Sequence, residues 1–309
     1  MPAIVTLTMN PALDIATATD VIVPSTKLRC DEPCYDPGGG GINVARAVHL
    51  LGGEVLAVFP VGGASGHMIQ SLLGHEHVPQ IALAVAGVTR ESLAVVERQS
   101  GKQYRFLLPG PPLAPHDQER CLAALAAHAG GAAYIVASGS LPPGVPHDFY
   151  ARVGELARGC GARFVLDTSG EALNGAGSGI FLIKASLREL GQLCGTEVTG
   201  AAAQEEAARA VIAEGRCEVL VVSLGAEGAL LATRDGCQRF PAAPVDALSS
   251  IGAGDSMLAG ILVSLVRGRS LADAVRFGAA AGAAALLRPG TELCRREDVE
   301  RLYRQLAPQ

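Results

Sequence analysis

Ser249-Ser250-Ile251-Gly252-Ala253-Gly254-Asp255-Ser256-Met257 is the stretch on which the reading of this chain turns. The apolar run behind it, Met257 to Val266, is broken only by Gly260 and Ser264 and reads as a buried helix. Two glycines ahead of that helix let the backbone close on a ligand with its N–H groups turned outward. At a helix start, unpaired amides and the helix dipole both favour an anion. Asp255 adds a carboxylate beside that anion hole. The pairing suits phosphoryl transfer: amides hold developing phosphate charge while the carboxylate accepts the proton of an attacking hydroxyl. The same residues also fit an ordinary capped helix with Asp255 as a first-turn acid, so other segments must decide.

Working outward, short apolar runs at Ala3–Thr8, Val55–Phe59, Tyr134–Ser138, Arg163–Asp167, Phe181–Lys184 and Val219–Ser223 suit strands buried on both faces of a parallel sheet. Helical patterns fill the gaps at about 42–51, 65–74, 117–128, 147–159, 186–193, 200–214, 254–267 and 270–287. The last is alanine-rich around Gly282, which suits close helix packing. This alternation predicts a doubly wound α/β fold, its mostly parallel sheet flanked by helices. Two regions depart from it. Residues about 14–36 hold β-prone pieces, Asp20–Pro24 and Lys27–Cys30, and residues about 88–108 read as two strands around Gln99–Lys102. They predict a small antiparallel β lid over the ligand-binding edge of the sheet, within a single domain spanning 1–309.

The 309 residues are 49% hydrophobic and 18% charged, with a net charge of −5 and no Lys/Arg tract. That composition supports a full core and argues against nucleic acid as a partner. No run reaches the roughly 18 apolar residues of a membrane span, and the N-terminus lacks a basic leader, so a cytoplasmic protein is expected. The eight cysteines are scattered without a Cys-x-x-Cys pair and read as reduced thiols.

Asp36-Pro37-Gly38-Gly39-Gly40-Gly41-Ile42-Asn43 is the second telling stretch. Four glycines in a row allow backbone to press against a ligand, and Asn43, on the first turn of the helix that follows, can donate to and accept from a sugar hydroxyl. Gly38, Gly40 and Asn43 fit a dinucleotide fingerprint only loosely, because no buried strand precedes them. A P-loop fails too: Gln103 follows Gly101-Lys102 where Ser or Thr is needed. Polar turns follow three strands, at Asn10–Asp14, Ser138–Gly144 and Ser223–Gly228.

Together these residues resemble the PfkB family of sugar kinases, which have the ribokinase-like fold. Gly38–Arg46 resembles its N-terminal glycine signature and Ser249–Met257 its C-terminal one. Asn10–Asp14, Lys27–Cys30, the unbroken glycine quartet, Gln103–Phe106 and Ser138–Gly144 are similar to the phosphofructokinase-2 type within that family. The resemblance implies MgATP-dependent phosphorylation of the 1-hydroxyl of fructose 6-phosphate, a glycolytic step. It implies Asp255 as general base, with the amides of Gly252, Ala253 and Gly254 as the anion hole. Asp14, Gly38, Gly39, Asn43 and Ser138 would face the sugar, Arg90 would pair with its phosphate, and Lys27 and Arg29 would add charge from the lid. Lys184, Ser186, Ser223, Gly225 and Gly228 would line the ATP site, and Glu189 would meet Mg²⁺ through water. A K⁺ site near Ser249, Ile251 and Ala285 and a homodimer paired through the lid are implied as well.

Without the resemblance several of these residues read blandly: Arg90 as a solvated strand cation, Lys184 as a snorkelling strand end, Asp14 as a turn cap. The chain also departs from the family. Ser186 stands where the family's Asn-x-x-Glu has Asn, which predicts weaker metal or nucleotide handling, and Arg288-Pro289 alters the cation loop. Tagatose 6-phosphate and fructose 1-phosphate are alternative substrates, because epimers differ by a single hydroxyl. A non-catalytic sugar-phosphate or nucleotide sensor is the alternative of another class, and an NAD-dependent oxidoreductase stands further off.

Overall fold

The computed structural model describes residues 2–306. The N-terminal half supplies strands β1 (Ile4–Leu7), β2 (Ala12–Thr19), β3 (Cys34–Gly38), β4 (Val55–Val61), β5 (Gln80–Ala84), β6 (Arg90–Glu97), β7 (Gln103–Leu107) and β8 (Tyr134–Ser138). The remaining strands are β9 (Arg163–Asp167), β10 (Ile180–Ser186), β11 (Cys217–Ser223), β12 (Ala229–Thr233) and β13 (Gly236–Phe240). Helices α1 (Gly40–Leu50), α2 (Gly63–His75), α3 (Pro115–His128), α4 (Phe149–Gly159) and α5 (Gly170–Gly175) alternate with them. After these come α6 (Leu187–Cys194), α7 (Ala201–Ala213), α8 (Ala253–Val266), α9 (Leu271–Leu286) and α10 (Arg296–Gln305).

Nine strands form the main sheet in the order β13-β12-β11-β10-β9-β8-β1-β4-β5. It is parallel from β5 to β11, and β12 and β13 close one end antiparallel. Side chains alternate between its faces with the strand period of two. Ile4, Val165, Leu182 and Val221 enter a core shared with α1, α2, α8, α9 and α10. Val5, Leu166, Ile183 and Leu220 enter the opposite core, against α3, α4, α6 and α7. The alanine-rich α9 packs closely on α8 as its composition predicts: a Cβ on Gly260 would lie 2.9 Å from the Ala281 methyl.

The four lid strands form a separate sheet in the order β3-β2-β6-β7. Its outer pairs are antiparallel, and its central pair, β2 with β6, runs parallel from Ala12 opposite Arg90 to Thr19 opposite Glu97. The pieces Asp20–Pro24 and Lys27–Cys30 carry no strand and belong to a largely exposed loop. The Gln99 amide donates to the Asp20 carbonyl at 3.1 Å, and side chains hold further points of their backbone. The Ile22 amide donates to Glu97 Oε1 at 2.7 Å, and Thr19 Oγ1 donates to the Arg29 carbonyl at 3.1 Å. All eight cysteines are free.

Candidate active site

The glycine quartet lies where α1 starts against the ends of β1 and β8. Gly39 has φ 108°, a left-handed value, and a Cβ there would sit 2.7 Å from Thr8 Cγ2. A Cβ on Gly41 would sit 2.5 Å from Thr8 Oγ1 and 2.6 Å from the Leu7 carbonyl oxygen. Gly38 and Gly40 leave no room for one beside the Asp14 carboxylate and the Ser138 hydroxyl. The protein's own segments, at Leu7, Thr8, Asp14 and Ser138, thus already demand glycine here.

Gly252, with φ 74°, turns the chain into α8, and Asp255 stands on the helix's first turn. Asn43 Nδ2 donates to Asp255 Oδ2 at 3.0 Å, joining the two glycine stretches across 212 residues. Burial raises the Asp255 carboxyl above its ordinary value, against the Asn43 bond and the Lys184 charge. Lys184, buried on β10, points its ammonium at the same turn: a Cβ on Gly254 would lie 2.6 Å from Nζ. Its partner is Asp167 at the end of β9, 3.3 Å away. Burial pulls Lys184 down, but Asp167, Asp255 and Glu189 outweigh it and hold the ammonium above its usual range. Asp167 is pushed up to about 6 by burial, against the Lys184 charge.

On the lid side, Asp14 is pushed up to about 6 by burial, with Arg90 and Arg105 opposing. The Arg90 guanidinium donates to the carbonyls of Asn10, at 3.4 and 3.3 Å, and Leu108, at 3.4 Å. Asn10 Nδ2 in turn reaches Ser140 Oγ at 3.1 Å. The links among these residues run pairwise: Asn43 bonds Asp255, Arg90 and Asp255 sense the Asp14 charge, and the glycine quartet abuts Asp14 and Ser138. Lys27 and Arg29 stand exposed on the 20–33 loop, and no ion pair among the described residues ties them to this group.

On the other side of Lys184, Ser186 lies opposite Ser223 in the β10–β11 register, and Ser223 Oγ donates to the Ala185 carbonyl at 3.3 Å. Ser186 and Glu189 form a capping box on α6. The Glu189 amide donates to Ser186 Oγ at 3.3 Å, and the Ser186 amide donates to Glu189 Oε2 at 2.6 Å. Gly225 and Gly228 have φ 60° and 95° at the turn after β11.

Ser249 and Ile251 lie in the loop before α8, and Ala285 in the last turn of α9, whose Leu286 carbonyl accepts from the Leu248 amide at 2.7 Å. Ser249 Oγ donates to the Gly290 carbonyl at 2.7 Å and accepts from the Ile251 amide at 3.2 Å, while the Ala285 carbonyl accepts from the Arg288 amide at 3.0 Å. The 288–294 loop also touches the lid. Thr291 Oγ1 donates to Asp36 on β3, whose other oxygen takes Arg46 Nη2 at 3.0 Å, and Arg46 is paired with Glu76 as well. On its inner side, a Cβ on Gly252 would lie 2.5 Å from Leu293 Cδ2, and the Cys294 amide donates to Ser256 Oγ at 3.4 Å.

Residues 7–298 match the pfkB family carbohydrate kinase. The chain belongs to this family. The ATP-dependent 6-phosphofructokinase isozyme 2 of Mycobacterium tuberculosis (strain CDC 1551 / Oshkosh) is 54% identical over 302 residues, covering 98% of this chain and 89% of that one. The isozyme 2 protein of Escherichia coli K12 is 42% identical over 309 residues, covering 99% and 100%. The crystal structure of Escherichia coli phosphofructokinase-2 in complex with fructose-6-phosphate superposes with a TM-score of 0.93 at 41% identity, covering 100% of both chains. The same enzyme has also been crystallised with potassium, TM-score 0.94, and as a tetrameric inhibited form, TM-score 0.93.

In this pfkB-family kinase, sequence reasoning passed over Asp167, Arg105 and the Asp36–Arg46–Thr291 links. Asp167 carried a signal: it is a carboxylate ending an apolar strand, at the sheet edge where α/β folds bind ligands. Arg105 lies within the Gln103–Phe106 motif, but only the fold sets it beside Asp14 and Arg90. Among the described residues no helix is long and apolar enough to cross a membrane.

Proposed function

We propose that this kinase transfers the terminal phosphoryl of ATP to the 1-hydroxyl of fructose 6-phosphate, giving fructose 1,6-bisphosphate. The observation that carries the reading is Asp255, raised by burial and held by Asn43, beside a glycine turn that Lys184 faces. A carboxylate with a raised pKa accepts the hydroxyl proton more readily. The amides of Gly252, Ala253 and Gly254 and the Lys184 ammonium oppose the charge on the transferred group. Asp14, Asn43, Ser138 and the amides of Gly38 and Gly39 orient the sugar, and Arg90 forks onto its 6-phosphate. Ser186, Ser223, Gly225 and Gly228 line the nucleotide side.

The Glu189 carboxylate, one oxygen of which takes the Ser186 amide, is a hard donor that suits Mg²⁺. No group of three or more His, Cys, Asp or Glu side chains among the described residues makes a metal site unaided, so water and ATP phosphates would complete the shell. The chemistry Mg²⁺ supplies there is charge neutralisation on the phosphates. For K⁺ the hard oxygen donors on hand are the Ser249 hydroxyl and the Gly290 carbonyl it bonds, with Ile251 two residues on and Ala285 at the end of α9. On the lid, Tyr104 and Phe106, two apart on β7 and so on one face of it, are 36% and 52% exposed, an apolar surface suited to pairing with a second copy.

The test is ADP release with MgATP and fructose 6-phosphate, fructose 1-phosphate, tagatose 6-phosphate or no sugar. Asp255→Asn should lower kcat at least about 100-fold with the preferred sugar. Turnover by that variant within a few fold of the parent would remove Asp255 as base. ATP binding without turnover of any sugar would support a sensor instead.

A further inference from the structure

The carbonyl of Gly139, in the turn after β8, accepts two hydroxyl donors. Tyr150 Oη, from α4, reaches it at 2.8 Å, and Thr168 Oγ1, just past β9, at 2.9 Å. The Gly139 amide is fixed too, donating to the Asp167 carbonyl at 2.9 Å. Both peptide groups of a residue at φ 102° are thereby held. Neither hydroxyl is solvent-facing: Tyr150 is fully buried and Thr168 is 4% exposed. Two side-chain donors on one half-buried carbonyl exceed what a turn needs, and neither belongs to the catalytic or binding groups described above.

The turn they grip is part of the sugar cleft. A Cβ on Gly40 would overlap the Ser138 hydroxyl and lie 2.8 Å from the Gly139 amide nitrogen, so the turn forms the wall against which the glycine quartet is seated. Its next residue, Ser140, takes the Asn10 side chain, and Asn10 in turn holds Arg90 through its carbonyl. A rotation of the peptide after Gly139 would therefore move Ser138, Ser140 and, through Asn10, the Arg90 fork together.

We propose that Tyr150 and Thr168 are positioning residues for the sugar: they lock the Gly139 peptide and so hold the Ser138–Ser140 turn and Arg90 in register with the glycine quartet. This rests on the sugar-kinase reading above. The lock lies on the sugar side of the cleft, so its loss acts on sugar recognition more than on ATP.

The test is steady-state kinetics of Tyr150→Phe, Thr168→Val, Thr168→Ser and the Tyr150→Phe/Thr168→Val pair, each with its Tm. Removing one donor should raise KM for fructose 6-phosphate about threefold and removing both about tenfold or more, with KM for ATP unchanged and kcat within about twofold. Thr168→Ser, which keeps the hydroxyl, should restore the parent KM. A purely structural bond would lower Tm and leave the sugar KM alone, and that result overturns the inference, as does a loss shared equally by both substrates. If the paired variant does not fold, the single variants decide on the same two KM values. A parent that turns over none of the sugars overturns the kinase reading and this inference with it, whereas a competent parent with unmoved variants overturns this inference only.

Discussion

Adding one methyl group at Gly254 separates the chemistry from the fold. Gly254 lies in the first turn of α8, where alanine is favoured over glycine by roughly 0.5–1 kcal/mol, so Gly254→Ala should not lower the Tm. Its Cβ, however, would fall 2.6 Å from Lys184 Nζ, and ordinary contact begins near 3.4 Å, so the ammonium must retreat by 3.4 − 2.6 = 0.8 Å. At an effective dielectric constant of about 20, unit charges attract by about 4.2 kcal/mol at ~4 Å and about 3.5 kcal/mol at ~4.8 Å. The loss per phosphate charge is roughly 0.7 kcal/mol, about threefold in rate, and a displacement near 1 Å costs up to about 100-fold when alignment is also lost. A kcat reduced about tenfold is therefore expected, read by coupled ADP release alongside thermal unfolding. In a Lys184→Met background the same change should cost little more, because the group it displaces is gone. A Gly254→Ala protein with kcat within twofold of the parent would refute the placing of Lys184 at the phosphoryl hole, and an equal loss in both backgrounds would refute the route through Lys184.

Burial raises Asp14 from the usual 3.8 to about 6, so its stabilising contribution is full below pH ~4 and is lost as pH rises through about 6. Asp14→Asn should therefore raise Tm at pH 8, by an effect of at most about 3 kcal/mol, leave it nearly unchanged at pH 4, and raise the sugar KM; calorimetry at the two pH values checks the sign. Ser186→Asn exchanges one good N-cap for another and should leave Tm within about 1 °C while lowering the Mg²⁺ concentration for half-maximal rate; an unmoved Mg²⁺ titration sinks that reading. Arg46→Met leaves Asp36 and Glu76 without their shared cation and should cost about 2–3 kcal/mol in urea unfolding; a loss under about 1 kcal/mol would mean the pairs hold little.

The central strands were legible because burial on both faces makes them continuous apolar runs, and Tyr134–Ser138 and Arg163–Asp167 fall where the sequence puts them. Elements with one wet face gave less. Helix α10 does carry the helical signal, Val299, Leu302, Tyr303 and Leu306 at i, i+3, i+4 and i+7, and went unread among its charges, whereas β12 and β13 form a short hairpin at the sheet's end. The loop at 20–33 misled because β-branched residues such as Val21, Ile22 and Val23 favour strand locally, whereas β2 finds both its partners elsewhere, in β3 and β6. In the site, the glycine turns were readable as turns. The contacts between them were not, since Asn43 and Asp255, or Asp167 and Lys184, become neighbours only through the crossovers of the sheet.

The 288–294 loop has two attachments, Thr291 to the lid and Leu293 and Cys294 to the turn that carries Asp255. A segment tied at both ends works as a tie rod: tension applied at one attachment is felt at the other. Reciprocity then governs anything that grips the loop beside these ties, as Ser249 does at the Gly290 carbonyl. On the reading proposed above, an ion at Ser249 that tightened sugar binding would itself be held more tightly in the presence of sugar, by the same factor. Titrating one ligand against the other would therefore measure the stiffness of this loop without touching a residue of it.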